Sequence, residues 1–221
     1  MTGRFGLLRR LVVLGACAGL GMVSCGGPST KEIVEGRPWL VTVYYTAVES
    51  LHHDEAVEVT GCLGGDCENG DDPLGRYPRG FAEAVEEEGS GRITSGAHAG
   101  KYLNWSYDIG YWLDTAPRNA HGGALEPFRS AAADGVPDGT RLRLVDCGEF
   151  GSGEFDPGDD VPPAVCSALQ AGQWQIQDRF TPGLGGPQHI DLYIGEESGS
   201  DFTSTGALYV SLHNVAFTLE S

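Results

Sequence analysis

Three aspartates, Asp134, Asp178 and Asp191, are the candidates for acid–base chemistry in this chain. Asp191 lies between Ile190 and Leu192 in the apolar run His189-Ile190-Asp191-Leu192-Tyr193-Ile194. A carboxyl group among apolar side chains, or beside another carboxylate, keeps its proton to higher pH than one in water. Such a group can protonate a leaving oxygen near neutrality and then accept a proton back. Asp178 closes the segment Trp174-Gln175-Ile176-Gln177-Asp178, and Asp134 follows Ala132-Ala133. Both are the expected companions of Asp191, supplying like charge. Alternation of period two offers a plainer reading: if Ile190, Leu192 and Ile194 face a core, Asp191 faces solvent. Asp134, just before Gly135, also fits an ordinary turn.

The elements that must position these residues are short strands. The chain has 221 residues, 40% of them hydrophobic, with 34 glycines and 12 prolines. That is enough apolar material for a core and favours a turn-rich, all-β fold over a helical bundle. Residues 39–48 (WLVTVYYTAV) read as a strand. Residues 49–79 read as an acidic, glycine-rich loop, and 81–88 as a short helix or strand edge ending at Gly89. Residues 91–96 read as a short strand running into a turn. The aromatic run 102–113, with Trp105, Tyr107, Tyr111 and Trp112, suits either a core or a sugar-stacking platform. Further strands are expected at 140–145, 174–178, 189–194 and within 207–219. Six or seven strands with long loops suggest a small barrel.

The formal net charge of −17 makes nucleic acid a poor partner, since binding phosphate needs clustered Lys and Arg, so no nucleic-acid partner is expected. Arg4, Arg9 and Arg10 precede an apolar run too short to span a bilayer. The segment Met22-Val23-Ser24-Cys25-Gly26 then resembles a bacterial lipobox, with cleavage before Cys25 and lipid attached to its thiol. An ordinary secretory signal is the alternative. Residues 1–24 are thus expected to be a leader, 25–38 a flexible tether and 39–221 the folded domain, held outside the cytoplasm by a membrane anchor at Cys25. Four other cysteines suit an oxidising compartment. Their spacing favours the disulfides Cys62–Cys67 and Cys147–Cys166 over zinc, whose paired ligands stand closer. No metal, no cofactor and a monomeric state are expected.

Three segments, in order, resemble the three-aspartate domain family. Ala132-Ala133-Asp134 with Pro137-Asp138-Gly139-Thr140 is similar to its "AVD…PLGT" segment. Asp178 followed by Gly185-Gly186 is similar to "EDTGGAIKG". Ile190-Asp191-Leu192-Tyr193-Ile194-Gly195 is similar to "RIDLYFG". The run Gly91 to Gly96 loosely resembles the family's "TATG" turn. The family resembles the catalytic barrel of membrane-bound lytic transglycosylase A. The resemblance implies a double-psi β-barrel that cleaves the β-1,4 bond between N-acetylmuramic acid and N-acetylglucosamine in peptidoglycan glycan strands. The muramoyl 6-hydroxyl would close on its own anomeric carbon to give a 1,6-anhydro product. The family's acid/base falls on Asp191, with Asp178 and Asp134 beside it. Gly96, Gly185, Gly186 and His189 then become candidates for binding substrate, with Trp105 as a stacking surface and Arg118 as a partner for a substrate carboxylate.

The chain departs from the family pattern. Asp178 and Asp191 stand 13 residues apart where the pattern has 11, the intervening lysine is missing, and Thr181-Pro182-Gly183 is new. His189-Ile190-Asp191 also resembles the His-Phe-Asp of expansins and family 45 endoglucanases. The second aspartate that those cellulases carry on their first strand is missing from 43–48. A non-catalytic wall-binding module on the same barrel and a glycan hydrolase remain the alternatives.

Overall fold

The computed structural model describes residues 32–33, 38–65, 67–151 and 158–220. The leader, Cys25 and most of the expected tether lie outside them. The elements are β1 (Glu32–Ile33), β2 (Trp39–Val48), β3 (Ala56–Gly61), β4 (Asp72–Pro78), α1 (Arg79–Glu88), β5 (Ser90–Arg92), β6 (Tyr102–Ser106), β7 (Gly110–Asp114), β8 (Ser130–Ala132), β9 (Arg141–Asp146), β10 (Glu149–Phe150), α2 (Pro163–Gln170), β11 (Gln175–Asp178), β12 (His189–Glu196), α3 (Phe202–Thr205) and β13 (Leu212–Glu220).

β2 organises the sheet. Its β-branched and aromatic residues are buried on both faces over most of its length, as a central strand requires. It pairs in parallel with β12 and β5 and antiparallel with β13. β13 also pairs with β9, β9 with β11, β11 with β8, and β8 with β12. These pairings return on themselves, so β2, β12, β8, β11, β9 and β13 form a closed circuit of six strands within a large mixed sheet. Val41, Ile176, Ile190, Leu192, Leu212 and Val215 are fully buried in its core. Each contributes roughly 1.5–3 kcal/mol of apolar transfer. Ile190 and Leu192 thereby anchor the strand on which Asp191 stands. The far end of β2 is pinned by Glu197, whose carboxylate accepts the Val48 N–H and bonds His52 Nε2 at 2.8 Å.

Several elements differ from the sequence expectation. The stretch 49–79 is not merely a stapled loop: β3 and β4 pair as an antiparallel hairpin, with Val59, Leu74 and Tyr77 buried beneath its acidic exterior. Residues 81–88 are helical. Phe81, Ala82, Ala84 and Val85 bury one face of α1, while Gly89 (φ +84°) caps it in the left-handed conformation and donates to the Val85 carbonyl. The helix α2 was not anticipated, because its eight residues show little more than the Val165–Leu169 spacing. Within the expected tether, Glu32 and Ile33 pair with Leu219 and Thr218 of β13, satisfying an otherwise open strand edge.

Both expected disulfides are present, with Cα–Cα distances of 5.8 Å. Cys147–Cys166 joins the end of β9 to α2. Among the described residues, no helix is long and apolar enough to cross a membrane.

Candidate active site

Strand register builds the site. Asp178 of β11 lies opposite Ala132 of β8, Ala132 opposite Asp191 of β12, and Asp191 opposite Thr42 of β2. Residues in direct register point to the same face of a sheet, so this row across four strands carries two carboxyl groups and a hydroxyl into one cleft. The methyl side chain of Ala132 leaves the space between the carboxyls open. The cleft has a volume of about 740 Å³. Its walls come from the β6–β7 hairpin, the end of α1 and the segments around residues 118–125 and 179–184.

Asp191 is only partly exposed along this cleft, while Ile190 and Leu192 on either side are fully buried. Thr42 Oγ1 donates to Asp191 Oδ1 at 2.8 Å and also bonds His189 Nε2 at 2.9 Å. The hydroxyl has one proton. With that proton directed to Asp191, Oγ1 accepts from the imidazole, giving a relay from His189 through Thr42 to Asp191. Burial pushes the Asp191 carboxyl up to about 7. The Thr42 hydroxyl and the Leu192 backbone N–H oppose this, and the Asp178 charge reinforces it.

Asp178 plays a different part. Its Oδ1 accepts the Ala120 N–H at 2.7 Å and the Arg179 N–H at 2.9 Å, and its Oδ2 accepts the Tyr44 hydroxyl at 3.1 Å. Burial raises its carboxyl, but these three donors favour the anion. Asp178 therefore ties the segment carrying Ala120 to β11 and β2, and lends its charge to Asp191. The Tyr44 ring packs at a tilt on Tyr193, with centroids 5.2 Å apart, and the pair is buried with Leu125.

The other sequence candidates divide. His189 lines the cleft, packed on Phe180 with ring centroids 4.4 Å apart, and burial pushes its imidazole below the ordinary value. Trp105, Tyr107 and Trp112 all line it: Trp105 is half-buried, Trp112 is buried and Tyr107 is exposed at the hairpin tip. The aromatic run thus serves core and cleft at once. Arg118 lines the cleft with its guanidinium engaged: Nε and Nη2 donate to Asp114 at 3.0 and 2.7 Å, holding that carboxyl down at about 2.

Asp134, Gly96, Gly185 and Gly186 do not line the cleft. Asp134 is exposed in the turn after β8 and packs on Gly185, which has no room for a Cβ beside the Asp134 carboxylate and the Phe180 ring. It reaches the site through its contact with the segment that carries Phe180 and through its charge, which opposes the effect of burial on the His189 imidazole. Gly96 (φ +68°) opens a helical turn whose neighbours Thr94 and Ser95 donate to the buried carboxylate of Glu49. Among the described residues, no group of three or more metal-ligating side chains occurs.

Thr42, Tyr44 and Glu88 are among the cleft residues that escaped the sequence reading. Thr42 and Tyr44 share one face of β2 by simple alternation. That signal was present, but it meant nothing without the register to β12. Glu88 ends an acidic run that reads as a solvated helix face.

This fold is that of a solved lytic transglycosylase. The chain is similar to Escherichia coli MltA in complex with chitohexaose, with a TM-score of 0.54 at 13% identity over 83% of this chain and 72% of that one. Two further structures give lower scores. They are the lytic transglycosylase LtgG of Burkholderia pseudomallei (0.44, 15% identity, covering 85% and 73%) and a membrane-bound lytic murein transglycosylase of Agrobacterium tumefaciens (0.46, 11% identity, covering 82% and 73%). No family model and no curated protein matches the sequence. The likeness to the chitohexaose complex establishes a shared fold.

Proposed function

We propose that this chain is an extracytoplasmic lytic transglycosylase of peptidoglycan, anchored to the membrane by lipid at Cys25 and acting as a monomer. The observation that carries the reading is the row Asp178–Ala132–Asp191–Thr42, which sets one carboxyl with a value of about 7 in an open cleft. The shared fold supports it, as does the chitohexaose held by the E. coli protein. The closed circuit of six strands supports reading the barrel as double-psi.

In the simplest scheme Asp191 makes both proton transfers. Protonated, it gives its proton to the glycosidic oxygen as the bond from the muramoyl anomeric carbon breaks. As carboxylate, it takes the proton of the muramoyl 6-hydroxyl while that oxygen bonds to the anomeric carbon. No water is consumed and the product is the 1,6-anhydro sugar. A carboxyl near pH 7 populates both forms at neutrality, which an ordinary aspartate does not. Thr42 orients the reacting oxygen, His189 fixes Thr42, and Asp178 keeps the cleft wall in place.

The test is digestion of purified peptidoglycan by the full chain in detergent, beside Asp191→Asn, with mass spectrometry of the muropeptides. Anhydro ends from the wild type and none from the variant are expected. Reducing ends would assign hydrolysis. Binding without cleavage would assign a wall-binding module.

A further inference from the structure

The indole of Trp112 borders the cleft with a donor that the fold does not use. Trp112 is 6% exposed and lines the cleft, yet among the described residues its Nε1–H has no hydrogen-bond acceptor. A buried indole N–H usually finds one, as that of Trp174 does in the Leu169 carbonyl at 2.8 Å. Trp39 Nε1 also lacks a partner, but it is sealed in the core, out of a ligand's reach. The acceptors that share Trp112's face of the hairpin are already committed. Asn104 stands opposite it on β6, and its Oδ1 accepts the Arg118 N–H at 3.0 Å. Asp114, two residues along β7, is clasped by the Arg118 guanidinium.

The loop closed by Cys62–Cys67 leaves that N–H open. Cys62 runs beside β7, its N–H donating to the Tyr111 carbonyl at 2.8 Å and its carbonyl accepting the Leu113 N–H at 3.0 Å. The disulfide brings the chain back so that Gly65, which also lines the cleft, lies against the indole. A Cβ on Gly65 would stand 3.6 Å from Nε1 and 3.7 Å from Cδ1, so a longer side chain there has the reach to cover the donor. Trp105, Tyr107 and Ile109 give the same cleft apolar surface, and Glu86, Glu87 and Asp108 line it as carboxylates. Its two arginines, Arg118 and Arg179, are paired with Asp114 and Asp138. An anionic group is therefore repelled. What suits this wall is a neutral acceptor with an apolar group beside it.

We propose that Trp112 and Gly65 form a subsite for the acetamido group of a glycan sugar, with Trp112 Nε1–H donating to the acetamido carbonyl. The inference rests on reading the cleft as a glycan groove, and it names the sugar substituent that this wall selects. An acetamido group is neutral. Its oxygen accepts from a donor such as the indole, and its methyl finds apolar surface in Trp105 and Ile109. A free amine on the same sugar carbon, charged as ammonium, sets a donor against a donor and leaves the indole N–H unpaired in the complex. A buried donor that only one of two ligands can satisfy is the kind of contact by which a site discriminates. The subsite takes no part in proton transfer. It stands on β7 and the stapled loop, apart from the row of Asp178, Ala132, Asp191 and Thr42.

The test is calorimetric binding of two oligosaccharides to the full chain in detergent: the hexamer of N-acetylglucosamine and its de-N-acetylated counterpart, the hexamer of glucosamine. Wild type is compared with Trp112→Phe, which keeps an aromatic ring and removes the N–H, and with Gly65→Leu, which covers it. Circular dichroism checks that each variant is folded, and either variant suffices if the other is not. The acetylated hexamer is expected to bind the variants about 3- to 10-fold more weakly than wild type, the scale of one neutral hydrogen bond. The glucosamine hexamer should weaken by less than about 2-fold. Comparing variant with wild type for each ligand cancels the attraction of ammonium groups to the acidic cleft. In the NMR spectrum of isotope-labelled indoles, the N–H signal missing from Trp112→Phe should move when wild type receives the acetylated hexamer. Equal loss on both hexamers, no loss on either, or an unmoved indole signal overturns the subsite. Wild type that binds neither hexamer overturns the glycan reading of the cleft as well. Wild type that binds with the expected selectivity but cleaves no peptidoglycan overturns the transglycosylase reading and upholds the subsite.

Discussion

Asp191→Asn should make the folded protein more stable while it abolishes turnover. The reason is the environment of the carboxyl, lifted from an ordinary 3.8 to about 7 by burial. Across that window the folded state binds a proton that the unfolded chain has already released. Stability from this group is therefore complete below about pH 4 and is lost as pH rises to 7. Roughly three units at about 1.36 kcal/mol each set a ceiling of about 4 kcal/mol. Partial exposure to the cleft and coupling to Glu88 reduce the expected figure to about 2–4 kcal/mol. Asparagine has the same shape, cannot ionise and escapes the loss. Urea unfolding of wild type and variant at pH 4 and pH 8, with the disulfides intact, measures the difference at each pH. The variant should be more stable by about 2–4 kcal/mol at pH 8, with most of that gain gone at pH 4. An equal or less stable variant at pH 8 would refute the argument that the fold bears an electrostatic cost to hold this carboxyl.

Thr42→Val removes the hydroxyl donor to Asp191. A hydrogen bond to a charged group is worth about 1.5–3 kcal/mol, so the limb of the pH–rate profile that follows Asp191 should move upward by about one to two units. A fall in rate with an unmoved profile would count against the relay. Replacing Cys147 and Cys166 together by serine opens a loop of sequence separation 19; chain entropy predicts a loss of about 3 kcal/mol in urea unfolding, and a loss under about 1 kcal/mol contradicts the role given to this link. Gly185→Ala should force the Asp134 carboxylate and the Phe180 ring apart and so disturb the packing on His189. Activity should fall, and adding Asp134→Ala should recover part of it. A double variant as impaired as the single one means that Asp134 is not the obstacle.

Much of the strand content was legible locally. The β-branched and aromatic run of β2, the alternation of β9 and the apolar run of β12 each state their own period. The two disulfides were legible because each closes a short local loop. The helix α2 and the three-residue strand β8 were not, since so few residues carry too little periodicity. Asp191 itself was ambiguous: alternation put it opposite Ile190 and Leu192, which describes a solvent face and a cleft face equally well.

The sequence by itself determined the longer strands, the apolar faces that bury them, the acidic surface and the order of the three aspartates along the chain. Only the tertiary structure decided which of those aspartates meet. Asp178 and Asp191 share a row because β8 lies between β11 and β12 in a particular register, and that pairing is set by closure of the whole strand circuit. The same closure leaves Asp134 on the outside, and α1 delivers Glu88 to an edge of β2. Proton affinity follows from burial and from charges brought together across the fold, so the value of about 7 at Asp191 is a property of packing and not of the residue's neighbours in the chain.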